Sequence, residues 1–494
     1  MKRILFCTVS AFALAGMAQA QDGRNISDVE QTGTGEAAIV SQSGAGSNDS
    51  EVDQDGEANE AFVTQLSVAG DLNSSVILQS LGSEENSADV DQVGEGNASE
   101  IRQGGSASSA IVTQNGADNI SEVVQDGSTS GTTAQVGQSG DQNTSQVVQA
   151  GLAAFTNVTQ SNDLASTDGN DSVVNQTGVL AVVEVDQSGQ ANVSTVNQLA
   201  GSAIVEIDQD GVSNDSVVGQ TALGSRVAIV QDGTRNDSEV SQAGAFALVN
   251  VEQLGTTNAS LVTQLAGGAR IEVFQDGTSN DSLVGGIADG SSVAVSQEGS
   301  SNSGSITQNP ASRPGLLFGF IPATLPVSNE NQNAELSQEG SQNLAAIAQY
   351  GTNQVAVIEQ IGTGNISGSR LGPAGIVQVG TGQFARLAQN GNRNNSTIAQ
   401  GTDGDFALLT ASMSSNNEAR VTQNGDDGVS VVTQNGADNL ASVLQLGGSS
   451  LNASVISQNG EGNTANVVQG GSANSSTINQ NGDGNSAVVT QNGA

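Results

Sequence analysis

The sequence predicts an all-β chain, a two-sheet β-solenoid of stacked 22-residue strand-turn-strand rungs with cross-β spacing. Three observations predict it. A glutamine returns every eleven residues from Gln187 through Gln198, Gln209, Gln220, Gln231, Gln242, Gln253, Gln264 and Gln275 to Gln297 and Gln308, with Gly286 standing in once. Every second unit adds an Asn five residues on and a Ser seven on, as at Asn214 and Ser216 or Asn258 and Ser260, so the true period is 22 residues. Between these fixed points β-branched and polar residues alternate, and no 3.6-residue stripe survives, which argues strand over helix. A fixed period of this size marks stacked supersecondary units.

Each element follows from the spacing. Residues two apart on a strand face the same way. From Gln209, offsets 5, 7, 9 and 11 are Asn214, Ser216, Val218 and Gln220; from Gln220 they are Ser225, Val227, Ile229 and Gln231. These rows are expected to point inward. The Gly of each Gln-x-Gly, as in Gln209-Asp210-Gly211, is expected to supply the permissive backbone of a turn. Equivalent side chains on stacked rungs stand ~4.7–4.8 Å apart, and each amide offers donors and an acceptor. Gln209, Gln231, Gln253 and Gln275 are therefore expected to chain hydrogen bonds along the axis, as are Asn214, Asn236, Asn258 and Asn280. A buried amide without a partner costs roughly 1–3 kcal/mol, so such ladders enforce register. Triplets such as Asn97-Ala-Ser99 fall on the same inward positions and read as ladder residues, not glycan acceptors.

Composition narrows the function. Of 494 residues 63 are Gly, 35% are apolar and 2% aromatic, so a core of large hydrophobes is not available. Residues 1–20 read as a secretory signal peptide: Lys2 and Arg3, an apolar run, then Ala18-Gln19-Ala20. That run is too short for a transmembrane helix. Cleavage after Ala20 removes Cys7, Lys2 and Arg3, leaving no thiol and taking the formal charge from −39 to −41. Such a charge opposes binding to nucleic acid or anionic lipid. With no His, no mature Cys and no helix to turn Gly33-Thr-Gly35 into a phosphate loop, neither an enzyme nor a cofactor is expected.

The array is expected over residues 21–308 and 331–494. Its first units are looser, with turn insertions at residues 66–71 and 80–85. Residues 309–330 hold Pro310, Pro314, Pro322 and Pro326 around an apolar run from Leu316 to Ile321. Proline cannot serve a central ladder, so this is a loop, either folded back on the sheet or presented as a docking patch to a partner or membrane surface. A second irregular stretch surrounds Pro373.

Gln458-Asn-Gly-Glu-Gly-Asn463-Thr-Ala465-Asn-Val-Val-Gln469 resembles the curlin repeat, and Gln480, Asn485, Ala487 and Gln491 repeat the spacing. The resemblance extends over nearly all the chain after the signal. It implies a subunit of curli-like functional amyloid fibres, secreted to the bacterial cell surface for biofilm and adhesion. It also implies self-association, a homologous nucleator subunit and an outer-membrane export pore. About twenty rungs at ~4.8 Å each would span ~95 Å, with growth expected end to end through the terminal rungs. A second reading is a monomeric or cell-surface β-solenoid binding module of the calcium-binding, ice-binding or adhesin kind. Against it, neither the Gly-Gly-x-Gly-x-Asp nonapeptide nor a regular exposed Thr ladder is expected. Asp210, Asp232 and Asp276 share the Gln-Asp-Gly turn, and Asp215, Asp237 and Asp281 follow the ladder Asn. Stacking is expected to align them about 5 Å apart, either as gatekeepers against premature assembly or as a row for calcium.

Overall fold

The computed structural model describes residues 24–68, 70–126, 130–162, 168–286, 289–308, 331–367, 375–401 and 415–493. The expected signal peptide, the proline-rich loop and the Pro373 stretch lie outside the described residues. The described residues form 39 strands and no helix. Successive strands alternate between two parallel sheets, so the fold is a β-solenoid with rungs of about 22 residues. The chain divides into two compact units, Met1–Gly224 and Ser225–Ala494.

In the first unit, strand Val182–Gln190 pairs in register with Ile204–Val212, and Val193–Gln198 pairs with Asp215–Gln220. Partner residues are 22 apart, so like sits on like: Gln187 on Gln209, Gln198 on Gln220. The alternation places Val183, Val185, Val205 and Ile207 inward from one sheet and Val196 and Val218 inward from the other, all buried. The core is thus a thin slab of β-branched residues walled at both edges by buried Gln, Asn and Ser. One expected turn insertion is instead a bulge. Strand Asn73–Glu84 runs through residues 80–84, and the register jumps from Gln54 opposite Gln79 to Gly56 opposite Ser83. A parallel ladder accepts such an extra loop of backbone without breaking the rung.

The second unit repeats the design from Arg226–Thr234 to Ser486–Asn492. Ladder partners Gln275 and Gln297 are 22 residues apart, whereas Gln297 and Gln338 are 41 apart and still share the same hydrogen bond. Stacking therefore resumes in phase after residues 309–330.

The turns differ from the sequence expectation. Strands continue through the Gly of Gln-x-Gly, and the left-handed corner comes two residues later on varied side chains. Ser213, Arg235, Thr257 and Ser279 have φ of 57–60°, and Phe246 on the other edge has 56°. Gly255 also has positive φ, 106°. Its stronger constraint comes from the next rung, because an added Cβ would overlap the Gly277 carbonyl oxygen. The glycine is needed for rung-to-rung backbone approach as much as for the turn.

Candidate functional site

The residues that the spacing singles out converge on columns running along each unit. In the second unit Gln231 Nε2 donates to Gln253 Oε1, Gln253 to Gln275, and Gln275 to Gln297, each at 2.8 Å. Gln209 of the first unit accepts from Gln187 at 2.8 Å. Near the end of the second unit Gln458 donates to Gln480 at 2.9 Å and Gln469 to Gln491 at 2.8 Å. Each of these bonds runs the same way, from the lower-numbered rung to the higher. The second amide hydrogen does something the sequence does not advertise. Gln253 Nε2 also donates to the Asp237 carbonyl at 2.9 Å, Gln275 to Ala259 at 2.9 Å, and Gln209 to Val193 at 3.0 Å. Those carbonyls open the strand of the facing sheet. One glutamine therefore stitches its rung to the next and its own sheet to the other, and it is fully buried while doing so.

The asparagines act differently from the expected chain of amides. The backbone N–H of Asn258 donates to Asn236 Oδ1, and that of Asn280 to Asn258 Oδ1, both at 3.1 Å. The N–H of Asn214 likewise donates to Asn192 Oδ1 at 3.0 Å, and its Nδ2 to the Asp210 carbonyl at 3.0 Å. Asn258 Nδ2 reaches the Leu254 carbonyl at 2.8 Å and the Gly277 carbonyl at 3.3 Å. Asn thus closes the turn that the left-handed residue opens, an Asx-type role. Direct Nδ2-to-Oδ1 bonds appear as well near the end of the second unit, from Asn463 to Asn439 at 3.0 Å and from Asn485 to Asn463 at 2.9 Å. The serine row beside them is inward but idle: the hydroxyls of Ser238, Ser260 and Ser282 are buried with no hydrogen-bond partner.

The expected acidic rows are broken. Asp232 stacks on Leu254, and Leu254 on Asp276. Asp237 and Asp281 are likewise separated by Ala259. Among the described residues no group of three or more acidic or other ligating side chains is arranged to hold a metal ion. Acids do align elsewhere. Asp276, Glu298 and Glu339 occupy consecutive rungs. In the first unit Glu184 stacks on Glu206 and Asp186 on Asp208. Partial burial, then the charges of Asp208, Glu184 and Asp210, raise the Asp186 pKa above its ordinary value. Burial also raises Asp171 and Asp281. A carboxyl whose pKa is raised on folding binds its proton more tightly in the folded state. Its contribution is full below the unfolded pKa and is lost as pH rises through the raised value. Asp186→Asn is therefore expected to raise the denaturation midpoint at neutral pH, with the gain vanishing at about pH 3, where the wild-type carboxyl is itself protonated. A gain that persists unchanged in acid would remove the electrostatic explanation.

A hydroxyl row does form on the second unit, contrary to the sequence expectation. Thr234, Thr256, Thr278, Ser300, Ser341 and Thr363 stack in register on one edge. The last pair lies 3.2 Å apart. Sequence reading missed it because residues 309–330 interrupt its count and Ser replaces Thr twice.

The family model described as Curlin associated repeat matches residues 83–127, 415–447 and 460–493. No curated protein matches the chain. The last two matches cover rungs in which the backbone N–H of Asn439, Asn463 and Asn485 donates to Oδ1 of the Asn one rung earlier, at Asn417, Asn439 and Asn463. The very regular rungs around Gln209–Gln275 fall outside the matches, yet they keep the fold with Ala203, Ala247 or Ala269 in place of Asn on one edge. Three segments of the chain thus match the curlin-associated repeat, and unmatched rungs such as Leu248–Thr256 and Ala259–Gln264 repeat the same parallel two-sheet pairing.

Proposed function

We propose that the chain is a secreted structural subunit of curli-like extracellular fibres, serving adhesion and biofilm matrix, not catalysis. One observation carries the reading. The inward residues of strands Asn25–Thr34, Ala37–Gly44 and Ser486–Asn492 are partly or fully exposed, whereas those of interior strands are buried. A second copy whose Gln31 and Gln42 rung stacks on the Gln480 and Gln491 rung would bury these faces and continue both glutamine columns. Exposed parallel edges of this kind favour pairing with another chain. A homologous nucleating subunit and an outer-membrane pore are the partners that this reading implies.

The test is fibre diffraction and electron microscopy of the purified protein. Unbranched fibres with a meridional reflection at ~4.7–4.8 Å are expected, forming faster at acid than at neutral pH as the raised carboxyls become neutral. Protein that stays monomeric under all of these conditions would overturn the proposal. The Thr and Ser row favours a second reading, a cell-surface binding module; monomer together with ligand capture by that edge would support it.

A further inference from the structure

The two edges of the first unit are chemically opposite. The turns that follow Gln149, Gln176, Gln198 and Gln220 span residues 150–154, 177–181, 199–203 and 221–224 and contain no charged residue. They stack on one another through backbone bonds such as Leu180 N to Leu152 O at 2.9 Å and Ser202 N to Val179 O at 2.7 Å. Along this edge Leu152 and Val179 are 46% exposed, Leu180 and Leu199 60%, and Leu223 61%. The turns on the other edge of the same rungs carry Asp141, Asp168 and Asp210 instead. Scattered exposed leucines mean little, but a continuous apolar strip on a strongly acidic chain marks a contact surface.

We infer that this strip is where a second copy of the chain packs side by side. Charge argues for that occupant. With 51 acidic residues against 12 basic ones, two copies repel over most of their surface, and this edge is where they can approach without juxtaposed carboxylates. The same balance disfavours an anionic lipid surface, and a cationic partner would seek the aspartate edge. Shape argues the same way. The strip alternates large projecting side chains, Leu152, Leu180, Leu199 and Leu223, with small exposed ones at Ala153 and Ser202. A second copy brings the identical alternation at the identical rung spacing. Turned about a two-fold axis, the leucines of one can seat over the small residues of the other at successive rungs, a self-complementary contact. This packing is lateral and does not depend on axial growth.

The experiment uses the full chain with Cys7→Ser, which leaves no native thiol, and a single new cysteine at Leu199, near the middle of the strip. Mild oxidation of soluble protein is expected to give a disulfide dimer with Leu199→Cys, and none with Val212→Cys on the opposite edge, although Val212 is also exposed at 41%. Sedimentation is expected to show a dimer for the Cys7→Ser chain. In Leu180→Asp/Leu199→Asp its dissociation constant should weaken about a hundredfold, since each buried charge costs at least a factor of ten. Both sites are solvent-exposed, so an unchanged circular dichroism spectrum separates lost pairing from lost folding. Equal cross-linking at both edges, or a parent chain that sediments as a monomer, overturns the inference whether or not fibres form. So would a Leu199 edge that becomes reactive to a soluble maleimide only after residues 309–330 are replaced by a Gly-Ser linker, since that segment would then be its cover. Failure of fibre growth in a chain that still dimerises would count against the axial model alone.

Discussion

Gln253→Ala is expected to lower the stability of the second unit by about 4 kcal/mol, among the largest effects available to one side chain here. The change strands three groups at once: the Gln231 amide that donates to it, the Gln275 oxygen that accepts from it, and the Asp237 carbonyl on the facing sheet. Each buried polar group left unpaired costs about 1–3 kcal/mol, more than the net worth of the bond it lost, and the cavity adds to the loss. Chemical denaturation should show the midpoint falling sharply. Glu239→Gln changes an exposed residue two positions from the strand end in the same unit and should stay within about 0.5 kcal/mol of wild type. Equal shifts for the two variants would mean that the inward and outward rows have been misassigned.

Gly255→Ala and Thr257→Gly should move stability in opposite senses although both alter one turn. Alanine at 255 meets a positive φ of 106° and a carbonyl oxygen of the next rung in the space its Cβ needs. The left-handed penalty alone is about 1–2 kcal/mol, and relieving the overlap must push two rungs apart, so a loss above about 3 kcal/mol is expected. Thr257 already pays a left-handed penalty at φ 60°. Glycine there removes about 1–2 kcal/mol of strain and costs about 0.5–1 kcal/mol in the entropy of the unfolded chain. The net result is a protein as stable as wild type or slightly more so. Thermal melts of the two variants decide the matter. If Thr257→Gly is the more harmful, the corner is held by its side chain and not by backbone conformation.

Much of this architecture is legible because the period itself is structural. A glutamine every eleven residues can serve a stack only if every strand repeats in register, and the buried columns through Gln253 and Gln275 follow from that spacing. Three features are not legible, each for a physical reason. The left-handed corner falls on Ser213, Arg235, Phe246 and Thr257, which share no side-chain chemistry, because stacking hydrogen bonds impose the backbone angle on whatever residue lies there. The asparagine role is hidden because offset 5 fixes its direction but not whether its amide finds another amide or a turn carbonyl. The acidic rows were expected from sites sharing a position in the period, yet Leu254 and Ala259 occupy the intervening rungs. Positional identity every second rung is not contact. The apolar edge of the first unit escapes notice for a related reason: its leucines sit at offsets 1, 3 and 4 in different rungs and become neighbours only in the folded stack.

The uniform sense of the glutamine bonds makes each column a vector. Along it the side-chain amide dipoles add head to tail, and hydrogen bonds in such chains reinforce one another. One tip of a column therefore offers N–H groups and the other offers carbonyl oxygens. Two copies meeting tip to tip with like groups facing would gain nothing, so in the proposed filament every subunit would point the same way. The two tips of that filament are then different chemical surfaces, one recruiting by donation and the other by acceptance. Growth is expected to be kinetically polar, with a fast tip and a slow one, as an arithmetic consequence of which way an amide hydrogen points.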